Sequence, residues 1–416
     1  MSQLQAVRGM HDVIPEELPR WRQLEEVVRT VSALFGYEEI RTPLVECAQL
    51  YIRSVGDSTD IVTKEMYTFA DRGGEQLALR PELTAGVVRA LLQHGLIQRR
   101  PLWRLWYYGP AFRYERPQKG RYRQFHQYGA ECFGSPFPES DVEVISLAVA
   151  ILEQLGITDY ELQLNTLGTP EVRQRYRQAL VEYFRHVRSE LSPESQQRLE
   201  RNPLRILDSK HPADQPLIAQ APIIWDFLDA ESRDHFDRVR VLLEALGVRV
   251  ALNPRLVRGL DYYTHTVFEF VSPRLGAQNA FGGGGRYDGL VESFGGPRVP
   301  AVGFAFGVER MLLLIEQVPP QPSVQVYVAS HGMPERALQV AARLRKAGYR
   351  TVTDIQRRSL KAQFRDADRL GVPVVVLVAE QEWQKGAVVV RHLRDQLQWE
   401  CPLEELPEHV ARALSR

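Results

Sequence analysis

The sequence predicts an α+β fold in two parts. Three features carry that prediction: two aromatic-rich, β-like runs flanking a polar loop, a charged helix-periodic stretch in mid-chain, and a proline-rich break before alternating apolar and amphipathic segments. In chain order, Trp21, Leu24, Val27, Val28, Val31, Leu34 and Phe35 recur on one helix face, and Gly36 ends that helix. Tyr37 to Thr42 is a short β-rich stretch running into Pro43. Proline has no N–H for a sheet ladder, so this is a strand end or an edge that a partner subunit can meet. Leu102 to Glu115 and Gln124 to Phe133, joined by the loop 116–123, read as a long antiparallel hairpin. Residues 165–250 are charged with a helical period, as a mostly helical insertion would be. β character returns at Val267 to Val271 and at Val302 to Phe306 and passes into a helix from Val308, so the core is mainly antiparallel sheet flanked by helices. Beyond the stiff stretch 318–323, strands at Val324 to Ala329, Tyr349 to Thr353 and Val372 to Val378 alternate with amphipathic segments 334–347 and 359–370. That is the signature of a separate small α/β domain.

With 416 residues, 44% of them hydrophobic, the chain can bury a large core and suggests two or three domains. Its 52 basic and 52 acidic side chains cancel, so a polyanionic partner must be held by local clusters and not by a long-range field. Cys47, Cys132 and Cys401 lie far apart without a CxxC pair, which excludes a disulfide framework and a zinc site and leaves reduced thiols. The N-terminal stretch is polar and charged, and no uncharged apolar run of about 18 residues occurs. A soluble cytoplasmic protein with no membrane segment is the expectation.

The hairpin is the densest in chemistry. If Arg113 lies on the first strand, alternation puts Arg113 and Glu115 on one side, and the same rule puts Gln127, Gly129 and Glu131 on one face of the second strand. The planar fork of Arg113 suits a phosphate, and a surface arginine paired with Glu115 is the plain alternative. In the loop, Arg116, Lys119, Arg121 and Arg123 alternate with Tyr122 and Phe125, as a grip on a nucleic-acid end or a solvated basic turn would. The stretch LVRGLDYYTHTVFEF, 256–270, adds a second fixed charge, Arg258. Its adjacent Tyr262 and Tyr263 point to opposite sides if the segment is extended, and such tyrosines often serve a core. FGGGGRYDGL, 281–290, lets backbone approach a ligand closely or turn with positive φ, and it lacks the GK[ST] ending of a P-loop. VGFAFGVERMLLLIE carries Arg310 into a helix, and in LRPELTAGVVRALL the residues Glu82 and Thr84 either cap a helix or hold a ligand's ammonium group.

Together these segments resemble the class II aminoacyl-tRNA synthetases over nearly the whole chain. Residues 21–46, with Pro43, resemble the first class-defining motif, 102–133 the second and 302–314 the third. LVRGLDYYTHTVFEF and GGGRYDGL, with TDIVTKEMYTF, RPELTAG and NPLRILDSK, resemble the histidine-specific family of that class. Two positions depart from its pattern: Leu83, commonly glycine or asparagine, and Thr264-His265, often Asn-Arg. Both neighbour ligand-binding positions, so they are expected to tune the pocket.

The resemblance implies a histidine–tRNA ligase with a catalytic domain over 1–320, a helical insertion at about 170–250 and an anticodon-binding domain over 324–416. It implies that Glu82, Thr84 and Gln127 hold the α-ammonium group of L-histidine, that Glu131 and Tyr263 bond its imidazole nitrogens, and that Tyr262 lines the pocket. A site whose polar groups the wrong amino acid leaves unpaired discriminates by roughly 10⁴. ATP is implied to meet Arg113 at the α-phosphate and Arg310 at the γ-phosphate and adenine, with Glu115 and Tyr122 close by and Mg²⁺ bridging phosphate oxygens. Arg258 is implied to be the catalytic arginine, reaching the histidine and neutralising the α-phosphate from the other side. Arg116 and Gln118 are implied to contact the acceptor end of tRNA(His), the insertion to steady the acceptor stem, and the first motif to form a homodimer. A non-catalytic regulatory subunit of histidine biosynthesis on the same core is the alternative. Such relatives typically lack the last domain and erode the arginines, and this chain keeps both. An RNA-binding module without catalysis gives no reason for the Arg258 cluster.

Overall fold

In the computed structural model, residues 4–56, 59–260, 262–276, 278–316 and 324–415 are described, and the proline-rich stretch 318–323 lies outside them. The chain forms two compact units, 1–318 and 319–416.

The first unit opens with α1 (Leu18–Leu34), which has proline in its first turn and is followed by Gly36 at φ 76°. Next come β1 (Glu38–Glu39), β2 (Val45–Cys47), α2 (Ala48–Val55), β3 (Thr68–Ala70) and β4 (Gln76–Leu79). Then follow α3 (Thr84–Gln93), α4 (Leu96–Arg99) and the hairpin β5 (Trp103–Phe112) and β6 (Gln124–Phe133). After α5 (Pro138–Gln154) and β7 (Glu161–Thr166) there are four helices: α6 (Pro170–His186), α7 (Pro193–Arg201), α8 (Asp214–Gln220) and α9 (Ala230–Ala245). The unit closes with β8 (Ala251–Leu252), β9 (Thr264–Val271), β10 (Ala280–Arg286), α10 (Leu290–Ser293), β11 (Ala301–Gly307) and α11 (Val308–Leu314). Eight strands form one sheet in the order β1-β5-β6-β11-β10-β9-β7-β8, and β2-β4-β3 form a small second one. The large sheet is parallel only at its edges, β1 with β5 and β7 with β8.

Period-two alternation gives the central strands two different faces. On one, Tyr128, Ala130 and Cys132 of β6, Phe304 and Phe306 of β11, Phe281 of β10, and Phe268 and Phe270 of β9 form a core with α1, α5, α9 and α11. Each fully buried phenylalanine stabilises by roughly 1.5–3 kcal/mol. On the other face, Gln127, Gly129 and Glu131 stand beside Gly307, Ala305 and Gly303 in register. That face carries the site.

Two sequence readings are corrected and one alternative is decided. The stretch 165–250 is not one insertion: Phe236, Val239 and Leu243 of α9 belong to the core beneath the sheet, whereas α6 to α8 share a second core with α3. A helical period is the same in either layer. The glycine run forms no turn; it is the inner strand β10, and a Cβ at Gly282 would lie 2.0 Å from the Phe306 ring. Neighbouring rings fill the space that side chains would need. Arg113 and Glu115 lie past the end of β5, so strand alternation does not set their directions.

The second unit comprises β12 (Val326–Ser330), α12 (Pro334–Lys346), β13 (Thr351–Thr353), α13 (Leu360–Arg369), β14 (Val374–Val378), α14 (Glu380–Gln384), β15 (Ala387–His392), β16 (Leu397–Pro402) and α15 (Leu406–Leu414). Its sheet runs β13-β12-β14-β15-β16, parallel over the first three strands. The antiparallel pair β15–β16 and the last helix are additions to the sequence reading.

Candidate active site

Two cavities open on the polar face of the large sheet, one of about 180 Å³ and one of about 340 Å³. Arg113, Gln127 and Arg258 line both. The floor is made of glycines. A Cβ at Gly303 would lie 1.6 Å from Glu131 Oε2, one at Gly129 2.3 Å from the Tyr107 hydroxyl, and one at Gly283 2.9 Å from Arg258 Nη1. Their absence leaves room for a carboxyl, a hydroxyl and a guanidinium.

The smaller cavity brings together Glu82, Thr84, Glu131, Tyr262 and Tyr263 with the three shared residues. Glu131 is 1% exposed and has hydroxyls around it: Thr84 Oγ1 at 2.7 Å, Tyr107 Oη at 3.0 Å and the Tyr287 hydroxyl all donate to it. Burial pushes its carboxyl up to about 8, against the pull of those hydrogen bonds. Glu82 accepts from the backbone N–H groups of Thr84 (2.6 Å) and Ala85 (3.0 Å), so it caps α3 and lines the cavity at once. Its carboxyl is also raised by burial. Tyr262 lies in a turn and Tyr263 between it and β9, with ring centroids 4.7 Å apart, and both line the cavity, so they do not point to opposite sides.

Arg258 pairs with Glu269, while its buried Nε has no partner. Burial opposes its charge, and Glu269, Tyr263 and Tyr262 outweigh burial to hold its pKa above the usual value. Gln127 likewise has a buried, unpartnered Oε1. Buried polar atoms without partners are costly, and a ligand in the cavity they border can satisfy them.

Glu115, Tyr122 and Arg310 complete the larger cavity, with Phe125 and Glu269. Arg113 donates from Nε to the Pro81 carbonyl at 2.8 Å and lies over the Phe125 ring at 5.2 Å. Arg310 on α11 donates to the carbonyls of Gly120 (3.1 Å), Gln278 (3.0 Å) and Ala280. These partners are neutral, so both guanidinium groups keep charge to offer a phosphate. Burial and the like charge of Arg121 lower the pKa of Arg310. Glu115 pairs with Arg121 and Tyr122 meets His11 edge-on at 4.5 Å. Arg116 and Gln118 are exposed and line neither cavity; Arg123 is folded back over the Tyr114 ring at 3.8 Å.

A family model described as histidyl-tRNA synthetase matches residues 9–311, and an anticodon binding domain model matches 323–412. The chain belongs to the histidyl-tRNA synthetase family. A histidine–tRNA ligase of Synechococcus sp. (strain JA-3-3Ab) is 50% identical over 399 residues, 94% of this chain and 95% of the relative. One from Synechocystis sp. is 46% identical over 420 residues, covering 100% and 94%. The crystal structure of apo S. aureus histidyl-tRNA synthetase matches with a TM-score of 0.82 at 32% identity, covering 98% of this chain and 100% of that one. A Bacillus halodurans structure described as an ATP phosphoribosyltransferase regulatory subunit/histidyl-tRNA synthetase shares the fold, with a TM-score of 0.67 at 24% identity.

In this member of the family, the two departures from the pattern stay clear of the cleft. Leu83 is 2% exposed and packs in the core beside α3, and Thr264 and His265 line neither cavity. Sequence reasoning missed four partners: Tyr107 and Tyr287 on Glu131, Glu269 on Arg258, and Phe125 under Arg113. The signal for Tyr107 was its register opposite Gly129, which follows once the hairpin is aligned. Nothing local couples Glu269 to Arg258.

Proposed function

We propose that the chain activates L-histidine with ATP to histidyl-adenylate and transfers the histidyl group to the 3′ end of tRNA(His). The observation that carries this reading is the pair Arg113 and Arg258, distant in sequence, lining both adjoining cavities. The smaller takes the amino acid, the larger the nucleotide, and the α-phosphorus belongs at their junction. A histidine carboxylate oxygen attacks that phosphorus, its bond to the bridging oxygen breaks, and pyrophosphate leaves with the electron pair. Arg113 and Arg258 meet the phosphoryl charge from two sides, so no side-chain nucleophile or general base is required. The terminal ribose hydroxyl of the tRNA then attacks the acyl carbon, and AMP departs.

On this reading Glu82, Thr84 and Gln127 hold the α-ammonium group, Glu131 and Tyr263 the imidazole, and Tyr262 the wall, while Arg310, Glu115 and Tyr122 attend the nucleotide. Glu115 and Glu269, two of the carboxylates lining the larger cavity, would hold a Mg²⁺ ion. Among the described residues no group of three or more His, Cys, Asp and Glu could hold a metal. Such an ion takes one or two carboxylates plus phosphate oxygens and keeps its waters. When bound, it screens the charge of the leaving pyrophosphate.

Arg116 and Gln118 are assigned to the acceptor end, the helical segment to the acceptor stem, residues 1–320 to catalysis and 324–416 to the anticodon. A homodimer in the cytoplasm completes the reading: β1 is an edge strand, with Leu34 (79% exposed) and Leu44 (43%) near it in sequence. Among the described residues no helix is long and apolar enough to cross a membrane. Histidine-dependent ATP–pyrophosphate exchange by the purified protein is the test. Histidine binding without exchange would instead support the regulatory-subunit reading, and sedimentation reads the dimer.

A further inference from the structure

Segment 7–11, VRGMH, has no part in the reaction above, yet it is folded against a loop that does. Met10 donates from its backbone N–H to the Val7 carbonyl at 2.9 Å and closes a turn around Gly9. Gly9 is buried while Val7, Arg8 and His11 are exposed, so the glycine marks a contact and not a core. Its φ is 84°, in the left-handed region that favours glycine. A Cβ there would lie 2.8 Å from Pro117 Cγ and 3.0 Å from Arg123 Cγ, so only bare backbone seats on the loop 116–123.

Two contacts carry that seat toward the nucleotide cavity. The Gly9 carbonyl accepts from the backbone N–H of Arg123 at 2.7 Å, and the Arg123 carbonyl accepts from the backbone N–H of Arg113 at 2.9 Å. Arg123 thus links segment 7–11 to Arg113 by successive backbone hydrogen bonds. The His11 ring meets Tyr122 edge-on at 4.5 Å, and among the described residues it is the only ring paired with Tyr122. Tyr122 also lines a further cavity of about 330 Å³, which His11, Asp12 and Trp21 border from the other side. The tyrosine ring therefore has room to turn away from the nucleotide, and His11 stands in that room. Arg310 holds the same loop from the nucleotide side, at the Gly120 carbonyl.

We propose that segment 7–11 is a clasp that positions the ATP site, with Gly9 and His11 as its positioning residues. Gly9 sets Arg113 through Arg123, and His11 keeps Tyr122 turned toward the nucleotide. Neither Gly9 nor His11 lines the larger cavity, so both act through other residues. The inference rests on the function proposed above, which gives Arg113 and Tyr122 to ATP.

The test uses His11→Ala, His11→Phe and Gly9→Ala in the full chain, each assayed for histidine-dependent exchange and for equilibrium binding of ATP. His11→Ala should raise the KM and the Kd for ATP by about fivefold, the worth of one aromatic pair, and leave kcat and the KM for histidine within about twofold. His11→Phe keeps a ring and should bring both ATP constants back to within about twofold of wild type. Gly9→Ala should raise the KM for ATP by about tenfold and lower kcat by about tenfold as well, because a shift of Arg123 reaches Arg113. If thermal melting shows Gly9→Ala to be unfolded, the two His11 variants decide alone. ATP constants equal to wild type in His11→Ala, or in a folded Gly9→Ala, overturn the proposal. Equal rises in the KM for ATP and for histidine also overturn it, since a general loss of structure acts on both, and so does His11→Phe no better than His11→Ala. Wild type that binds ATP without exchange would sink the catalytic reading instead, while the Kd for ATP still reports on the clasp.

Discussion

Where the smaller cavity surrounds a buried carboxyl, Glu131, with three hydroxyls, the larger one presents Arg113 and Arg310 held by backbone carbonyls. The two share a wall and differ in what burial does to charge. Around Glu131 burial favours the neutral form, so the group can answer an imidazole by giving or taking a proton. Around the arginines the carbonyl partners fix geometry without cancelling charge, which suits a phosphate whose own charge is permanent. Selection by hydrogen bonding thus sits beside catalysis by fixed charge, and Arg258 joins the two.

The largest effect should come from that junction. Arg258→Ala is expected to cut histidine-dependent exchange by about 10²–10³ with the fold retained, because it removes a preorganised donor to the transition state. Near-normal exchange would dissolve the junction. Glu131→Ala should raise the KM for histidine by on the order of 10² and leave that for ATP within about twofold. Equal changes in both would mean that the cavities do not divide the substrates. Gly303→Ala drives a methyl into Glu131 and Ala130, so the histidine KM should rise by about tenfold, and thermal unfolding should show a loss of ~1–3 kcal/mol.

The pH dependence sharpens the same contrast. With its folded pKa of about 8 above the ordinary 4.5, Glu131 is protonated in the folded protein where the unfolded chain has lost the proton. Its contribution to stability is therefore full below about 4.5 and is lost as pH rises through about 8. Melting temperatures across that window should fall more steeply for wild type than for Glu131→Gln; parallel curves would refute the raised carboxyl. The smallest effect is expected in the loop: Arg116→Ala/Gln118→Ala should weaken tRNA charging by a few-fold and leave exchange untouched, since both side chains lie outside the two cavities.

Long, strongly periodic elements were legible in the sequence: α1, the hairpin β5–β6, the alternation that sets Gln127, Gly129 and Glu131 on one face, and the first three strands of the second unit. The site residues were legible as chemical types in quoted motifs, and all of Glu82, Thr84, Gln127, Glu131, Arg258, Tyr262 and Tyr263 meet in one cavity. The glycine run left a close approach and a turn equally open, because a strand without side chains has no hydrophobic period. Its reason lies across the sheet, in Phe306 on one face and Arg258 on the other. α9 was misplaced because its apolar face shows that it packs but not against what.

By itself, then, the sequence determined which functional groups the chain owns, the helical or extended character of the segments bearing them, and the family those motifs resemble. These depend on residue type and short-range period, both local. Tertiary structure alone decided that Arg113 and Arg258 border the same cavities and that Tyr107 and Tyr287 hold Glu131. Such relations join segments far apart in the chain, and desolvation, like-charge crowding and shared cavities exist only once packing has brought those segments together.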